Sequence, residues 1–176
     1  MVAAAVTLSA VAAACGSGVE TGNALYSFTR PWGVGKMTDP VGQVWAAGGI
    51  PICTKGHSPV TITSITPVVI RGQIHLSRIA IRRVQRGGTI GTYPGLPTGS
   101  RQPAGYVVPS PSRCAWARTT DPIYETVIAA SRTGARGGYI QGLRVRYRVG
   151  SARGEYVIPF TYALCGRDGP GPCRAR

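Results

Sequence analysis

Hydrophobic and polar residues alternate most regularly between residues 139 and 165. In the first half of this stretch, Leu143, Val145 and Tyr147 alternate with arginines. In the second half, residues 156–164 carry an apolar or aromatic side chain at every other position. A period of two is typical of strands that bury one face. The pattern therefore predicts a β-hairpin with one face in a hydrophobic core.

The loop of this hairpin decides which residues lie opposite each other. A slip of one residue would turn every side chain to the other face, so the two arms need an even number of loop residues between them. We predict a four-residue loop over residues 151–154. This loop pairs Val149 with Tyr156 and Val145 with Phe160.

Other stretches with strand-like composition are short and separated by turns. They are residues 25–28, 60–67, 73–84, 107–108 and 124–131. Within residues 73–84 the apolar positions change from even numbers, as at Ile74, to odd numbers, as at Ile79. Such a change indicates a β-bulge, which we place around Ser77 and Arg78.

The rest of the chain favours turns over helices. Residues 29–48 are turn-rich, and residues 86–113 predict a long loop that is either functional or poorly ordered. After the leader, no window of 11 or more residues has a clean helical period, and the 25 glycines and 14 prolines suit strands joined by turns. We predict an all-β, antiparallel immunoglobulin-like β-sandwich over residues 24–165 and a Gly/Pro/Arg tail over residues 166–176. The Cys–Trp–Cys pattern of antibody domains is not matched, so the likeness concerns architecture alone.

The first 14 residues are apolar and carry no charge. They are too few to span a bilayer as a helix and are typical of the hydrophobic part of a secretory signal. The segment ends in Ala12-Ala13-Ala14-Cys15-Gly16-Ser17, which resembles the lipobox of bacterial lipoproteins. The resemblance implies a signal peptide over residues 1–14 that is cut before Cys15. It also implies a diacylglycerol on the Cys15 sulfur and a flexible linker over residues 15–23.

Two features depart from the lipobox pattern. Ala12 stands where leucine is commonest, and no lysine or arginine precedes the apolar run, so we expect a start codon further upstream. One alternative is a plain secretory signal, because residues 12–14 also fit an A-x-A cleavage site. A buried core helix is the remaining interpretation.

Cysteine usage also indicates export. Beyond Cys15 the chain holds Cys53, Cys114, Cys165 and Cys173. An even number in an oxidising compartment predicts two disulfides. We favour Cys165–Cys173, which closes a turn-rich loop, together with Cys53–Cys114, and the other two pairings stay open. A zinc site is less favoured, because no C-x₂-C pair is present and no histidine stands at zinc-finger spacing from a cysteine.

The chain is strongly basic, with a net charge of +14 from 20 Lys and Arg against 6 Asp and Glu. Residues 40–120 contain nine basic residues and no acidic one. Such a field favours polyanions such as membrane headgroups, anionic envelope polymers or nucleic acid. The alternative interpretation is a solvated surface without a ligand.

One candidate for interaction chemistry is a row of arginines on the predicted hairpin. Arg144, Arg146 and Arg148 are expected to project from one face at intervals of about 7 Å, twice the strand rise. Aligned guanidinium groups suit phosphate or carboxylate recognition. Arg78 and Arg82 are candidates for a second row. The alternative is that these arginines keep exposed strands soluble and discourage edge pairing.

Catalytic motifs are scarce. There is no Walker loop, dinucleotide fingerprint or G-x-S-x-G elbow, and we predict no cofactor and no metal. A nucleophilic mechanism would need His57 or His75 as its base. The nearest pair of carboxylates, Asp121 and Glu125, is a weak candidate for glycoside hydrolysis.

Together these features predict an exported cell-envelope protein that is anchored in the membrane by a lipid on Cys15, or otherwise secreted. Its β-sandwich is expected to be a non-catalytic binding or structural module that contacts an anionic envelope polymer, lipid headgroups or an envelope protein. The alternative is an envelope hydrolase that uses His57 or His75. Nucleic acid is not favoured as a partner, because aromatic and basic residues interleave only at residues 146–148.

Overall fold

The computed structural model describes residues 24–27, 32–37, 40–85, 91–112, 114, 122–166 and 173. The predicted signal peptide and linker, including Cys15, lie outside the described residues. So do residues 86–90 and 113 of the predicted long loop and most of the predicted tail.

All regular structure in the described part of the chain is β-strand, apart from a single 3₁₀ position at Cys173. The strands are β1 (Leu25–Tyr26), β2 (Trp32–Met37), β3 (Val44–Pro51), β4 (Cys53–Thr54), β5 (Val60–Gly72), β6 (Ile74–Val84), β7 (Thr92–Pro94), β8 (Val107–Val108), β9 (Ile123–Arg132), β10 (Gly137–Val149) and β11 (Ala152–Cys165). The all-β prediction is confirmed.

Two sheets pack face to face as a β-sandwich. The first sheet has the antiparallel order β11-β10-β5-β8, and β2 adds to the free edge of β11 in parallel. The second sheet has the antiparallel order β6-β9-β3-β7, and β1 pairs separately with β4. Apolar side chains of both sheets form one core between them, with Tyr147, Phe160 and Tyr162 as its largest fully buried members. Burial of this surface is the main force that holds the sheets together.

The predicted hairpin is present as β10 and β11. Leu143, Val145 and Tyr147 are buried in the core, as the alternation indicates, and the arginines between them point outward. The predicted loop is wrong, because the turn has two residues, Gly150 and Ser151.

Near the turn, each residue of β10 therefore lies opposite a residue of β11 that is four positions earlier than predicted. Val149 lies opposite Ala152, and Val145 lies opposite Tyr156. Gly150 adopts φ of 58°, which tight hairpin turns require and glycine supplies without strain. Loops of two and four residues keep the same faces inward, so the burial pattern does not distinguish them.

The predicted bulge in β6 is confirmed and lies between Leu76 and Arg78. Beyond it, Ile79 and Ile81 enter the core, while Ala80 and Arg82 face the other side of the sheet.

The turn-rich prediction for residues 29–48 is wrong, because this range contains β2 and most of β3. In β3, Ala46 and Ala47 are fully buried on opposite faces. A strand covered on both sides does not show the apolar and polar alternation that identifies a half-exposed strand.

Candidate functional site

The protein has two disulfides, in the favoured pairing. Cys53 is joined to Cys114 and Cys165 to Cys173, with Cα–Cα distances of 5.6 and 5.5 Å. The first bond connects β4 to the chain that follows β8. Disulfides of this kind indicate an oxidising, extracytoplasmic environment.

The arginine row of β10 lies on the outer face of the first sheet. Two of its members are held by one carboxylate of the neighbouring strand. Arg144 Nε lies 3.0 Å from Glu155 Oε1, and Arg146 Nε lies 3.2 Å from Glu155 Oε2. The three side chains are 41 to 61 % exposed, so these ion pairs add little to stability. Their effect is to orient the two guanidinium groups and to offset part of their charge.

The third arginine of the row faces another arginine. Arg148 lies directly opposite Arg153 of β11, and both side chains are exposed. Directly opposed residues have their Cβ atoms about 4.5–5.5 Å apart, and like charges at that position are destabilising. Among the residues that the structure describes, no carboxylate forms a salt bridge with either side chain.

These side chains surround a groove of about 620 Å³ near the tip of the hairpin. Its charged walls are Arg146, Arg148, Arg153 and Glu155, and Thr63 of β5 completes the rim. The groove carries three guanidinium groups and one carboxylate. An anion in it can accept hydrogen bonds from several guanidinium N–H groups, and a hydroxyl group can donate to Glu155.

Arg153 is absent from the sequence-derived candidates because the four-residue loop assigns it to the turn. A two-residue turn at Gly150 and Ser151 would have brought it beside Arg148. The signal was a glycine at the first loop position, which favours a tight hairpin turn.

The predicted second row on β6 does not form one exposed surface. Arg78 is exposed, but Arg82 reaches the carboxylate of Glu125, with Nη2 2.5 Å and Nε 2.9 Å from Oε1. Arg82 also donates to the Tyr93 hydroxyl over 2.9 Å, and its guanidinium lies 5.1 Å from the centre of that ring. Arg82 is therefore part of a structural network rather than a free anion-binding group.

Glu125 is the buried centre of this network, with a fully buried side chain that also accepts a hydrogen bond from the Gly49 N–H. Burial raises the pKa of Glu125, and the Gly49 hydrogen bond and the Arg82 charge offset only part of that effect. Burial lowers the pKa of Arg82, but the hydrogen bond to Tyr93 and the charge of Glu125 together raise it above its ordinary value.

The described part of the predicted long loop contacts both sheets, because Val107 and Val108 form β8 of the first sheet and the residues around Tyr93 and Leu96 pack on the outer face of the second. Tyr93 and Leu96 contact the small apolar cluster of Ala46, Val127 and Ala129. The side chain of Glu125, whose partner Arg82 is hydrogen-bonded to Tyr93, is fully buried.

The two histidines lie on different elements and are both exposed. His57 is in the turn before β5, and His75 is on β6 at the edge of the second sheet. Within the described ranges, no group of three or more His, Cys, Asp and Glu side chains is arranged to hold a metal ion. The same ranges contain no helix that is long and apolar enough to cross a bilayer.

Comparison with known proteins gives no family assignment. No protein-family model matches the chain, and no curated protein matches it.

Proposed function

We propose that this protein is exported, anchored in the membrane by a lipid on Cys15, and acts as a non-catalytic binding module of the cell envelope. Its binding surface is the basic groove at the tip of the β10–β11 hairpin. The observation that carries this proposal is the direct opposition of Arg148 and Arg153 beside Arg146. A bound phosphate or carboxylate relieves the repulsion between the two guanidinium groups and gains charge-assisted hydrogen bonds from both.

The composition of the surface supports an anionic partner. Nine lysine and arginine side chains are exposed among the described residues, and the single exposed carboxylate there is Glu155. The nine are Lys55, Arg71, Arg78, Arg83, Arg101, Arg136, Arg146, Arg148 and Arg153. The positive electrostatic field of these side chains increases the rate at which polyanions reach the groove. The partner class is therefore an anionic envelope polymer, lipid headgroups or an acidic surface of an envelope protein.

The domain is proposed to be immunoglobulin-like, and its connectivity supports this. In that fold, strands B, E and D are neighbours in one sheet and strands C, F and G in the other. The order β3-β9-β6 in the second sheet corresponds to B, E and D. The order β5-β10-β11 in the first sheet corresponds to C, F and G.

The anchor gives the first prediction. Cys15→Ala removes the sulfur that would carry the lipid, so the protein is expected to move from the membrane fraction to the soluble or secreted fraction. Fractionation with immunoblotting measures the shift, and intact mass spectrometry of the wild type measures the diacylglycerol adduct. A wild-type protein that is wholly soluble and unlipidated contradicts the anchor.

The groove gives the second prediction, in which binding and stability change in opposite directions. Arg153→Glu replaces the repulsion with Arg148 by an attraction, so the free energy of unfolding is expected to rise by about 0.2–1 kcal/mol. The same change is expected to weaken binding of polyphosphate about tenfold or more at low salt, and the loss shrinks as salt rises. Urea denaturation and a salt series of binding isotherms measure the two effects.

Arg78→Glu is the matched control, because it makes the same change in net charge on the other sheet. It is expected to keep most of the affinity for polyphosphate. If Arg78→Glu and Arg153→Glu weaken binding equally, the overall charge of the protein is responsible and the groove is not a site.

A further inference from the structure

Exposed apolar side chains lie beside the basic groove on the same face of the first sheet. Val68 of β5 and Val157 of β11 are 44 % and 45 % exposed. Both flank Gly142 of β10, because a Cβ added to that glycine would stand 3.1 Å from Val68 and 3.8 Å from Val157. The valines therefore form one apolar patch across three strands.

The patch and the groove are continuous. Val157 lies directly opposite Arg144, and Glu155, two residues before Val157 on the same strand face, holds both Arg144 and Arg146. The outer face thus changes from charged at the hairpin tip to apolar at Gly142. From Arg148 to Gly142 the strand advances six residues, or about 20 Å.

The described part of the chain begins next to the hairpin end of the domain. The backbone of Ala24 is hydrogen-bonded to the hydroxyl of Tyr147, and the Ser27 N–H donates to the Tyr156 hydroxyl over 3.2 Å. Tyr147 is also one of the residues that line the groove. Ala24 is nine positions after Cys15 in the chain, and nine residue steps reach at most about 32 Å. A lipid on Cys15 would therefore keep the hairpin end of the domain close to the bilayer.

We propose that the outer face of the first sheet docks on an anionic bilayer, with Arg146, Arg148 and Arg153 at the lipid phosphates and Val68 and Val157 at the interface. This inference rests on the proposed function and names the source of the anion. A soluble polyanion held in the groove would leave the two valines in water. A bilayer engages both parts of the face, because basic side chains are attracted to anionic headgroups and apolar ones enter the interfacial region.

The test uses the full chain carrying Cys15→Ala, so that no lipid anchors it, and compares three probes. They are vesicles of phosphatidylcholine with about one third phosphatidylglycerol, vesicles of phosphatidylcholine alone, and soluble polyphosphate. Binding is expected to the anionic vesicles and to polyphosphate, and to be at least tenfold weaker with neutral vesicles. Val68→Thr with Val157→Thr is expected to weaken binding to anionic vesicles about five- to tenfold and to leave polyphosphate binding unchanged.

Threonine keeps the branched Cβ that suits a strand, and unchanged polyphosphate binding reports that the variant is folded. Val41→Thr is the matched control, because Val41 is more exposed, at 55 %, and lies in the turn before β3 of the other sheet. It is expected to bind anionic vesicles like its parent.

The outcomes separate this inference from the proposed function. If the parent binds polyphosphate but not anionic vesicles, or if the double threonine variant binds vesicles like its parent, bilayer docking is wrong and the anion groove stands. If Val41→Thr weakens vesicle binding as much as the double variant, the patch is not the docking surface. If neither anionic probe is bound, both proposals are wrong.

Discussion

Glu125→Ala is expected to lower the free energy of unfolding by about 3–5 kcal/mol, the usual result of removing one partner of a buried ion pair. The Glu125 carboxylate is fully buried and accepts hydrogen bonds from Arg82 and from the Gly49 N–H. Truncation removes the carboxylate that pairs with Arg82, whose side chain is only 12 % exposed. It also removes the acceptor of a buried backbone N–H, and such groups are expensive to leave without a partner. Chemical denaturation measures the loss.

Two variants show whether the loss comes from the network. Glu155→Ala removes a surface carboxylate that is 44 % exposed, and its effect is expected to be at most about 1 kcal/mol. Glu125→Leu combined with Arg82→Met replaces the whole pair by apolar side chains and is expected to be less destabilising than Glu125→Ala alone. If Glu125→Ala destabilises no more than Glu155→Ala, Glu125 and Arg82 do not stabilise the fold as a buried pair.

The pH dependence of the same group has a defined sign. Because burial raises the pKa of Glu125, the folded protein holds this proton more tightly than the unfolded chain does. The contribution of Glu125 to stability is therefore greatest below its ordinary pKa and falls as pH rises through the raised value. Glu125→Gln keeps an acceptor and does not titrate. The stability of the wild type relative to Glu125→Gln is expected to decrease as pH rises above the ordinary pKa of a glutamate, and to level off once the pH has passed the raised value.

The position of Arg82 illustrates what the alternation of β6 could and could not predict. The bulge places Arg82 on the outer face of its sheet, and this side was foreseeable from the parity of Ile79. The exposure of Arg82 was not foreseeable, because it depends on Tyr93 and Leu96 of the loop packing on that face. The conformation of a segment rich in glycine and proline depends on tertiary contacts that are not encoded as a local period.

The hairpin shows a related limit of prediction from alternation. Alternation identifies which side chains of β10 enter the core, since Leu143 and Val145 are buried as predicted. It does not identify their partners, because every even loop length satisfies the same burial. The register of the hairpin depends on the turn at Gly150 and on the ring of Tyr147, which occupies the space above Gly154. The groove could not be predicted in full for this reason, since Arg153 joins it only in the two-residue register.

Removal of the two disulfides is expected to have unequal effects. Loss of Cys53–Cys114 by alanine substitution is expected to lower the free energy of unfolding by about 4 kcal/mol, and loss of Cys165–Cys173 by about 2.5 kcal/mol. The difference follows from loop length, because the bonded residues are 61 positions apart in the first case and 8 in the second. The longer loop loses more conformational entropy in the unfolded chain.

Native hydrogen bonds beside Cys53 support the view that removal of the Cys53–Cys114 disulfide acts mainly on the unfolded chain. Thr54 N–H donates to the Ser112 carbonyl over 3.0 Å, Ser112 N–H donates to Thr54 Oγ1 over 2.8 Å, and Thr54 Oγ1 donates to the Pro109 carbonyl over 3.1 Å. These bonds hold the two segments together in the folded state without the covalent link. Denaturation of each double variant measures the stabilities, and peptide mapping of the wild type without reductant is expected to find no free thiol at the four positions. Equal losses for the two pairs would contradict the dependence on loop length. Free thiols in protein from its native compartment would contradict the disulfides themselves.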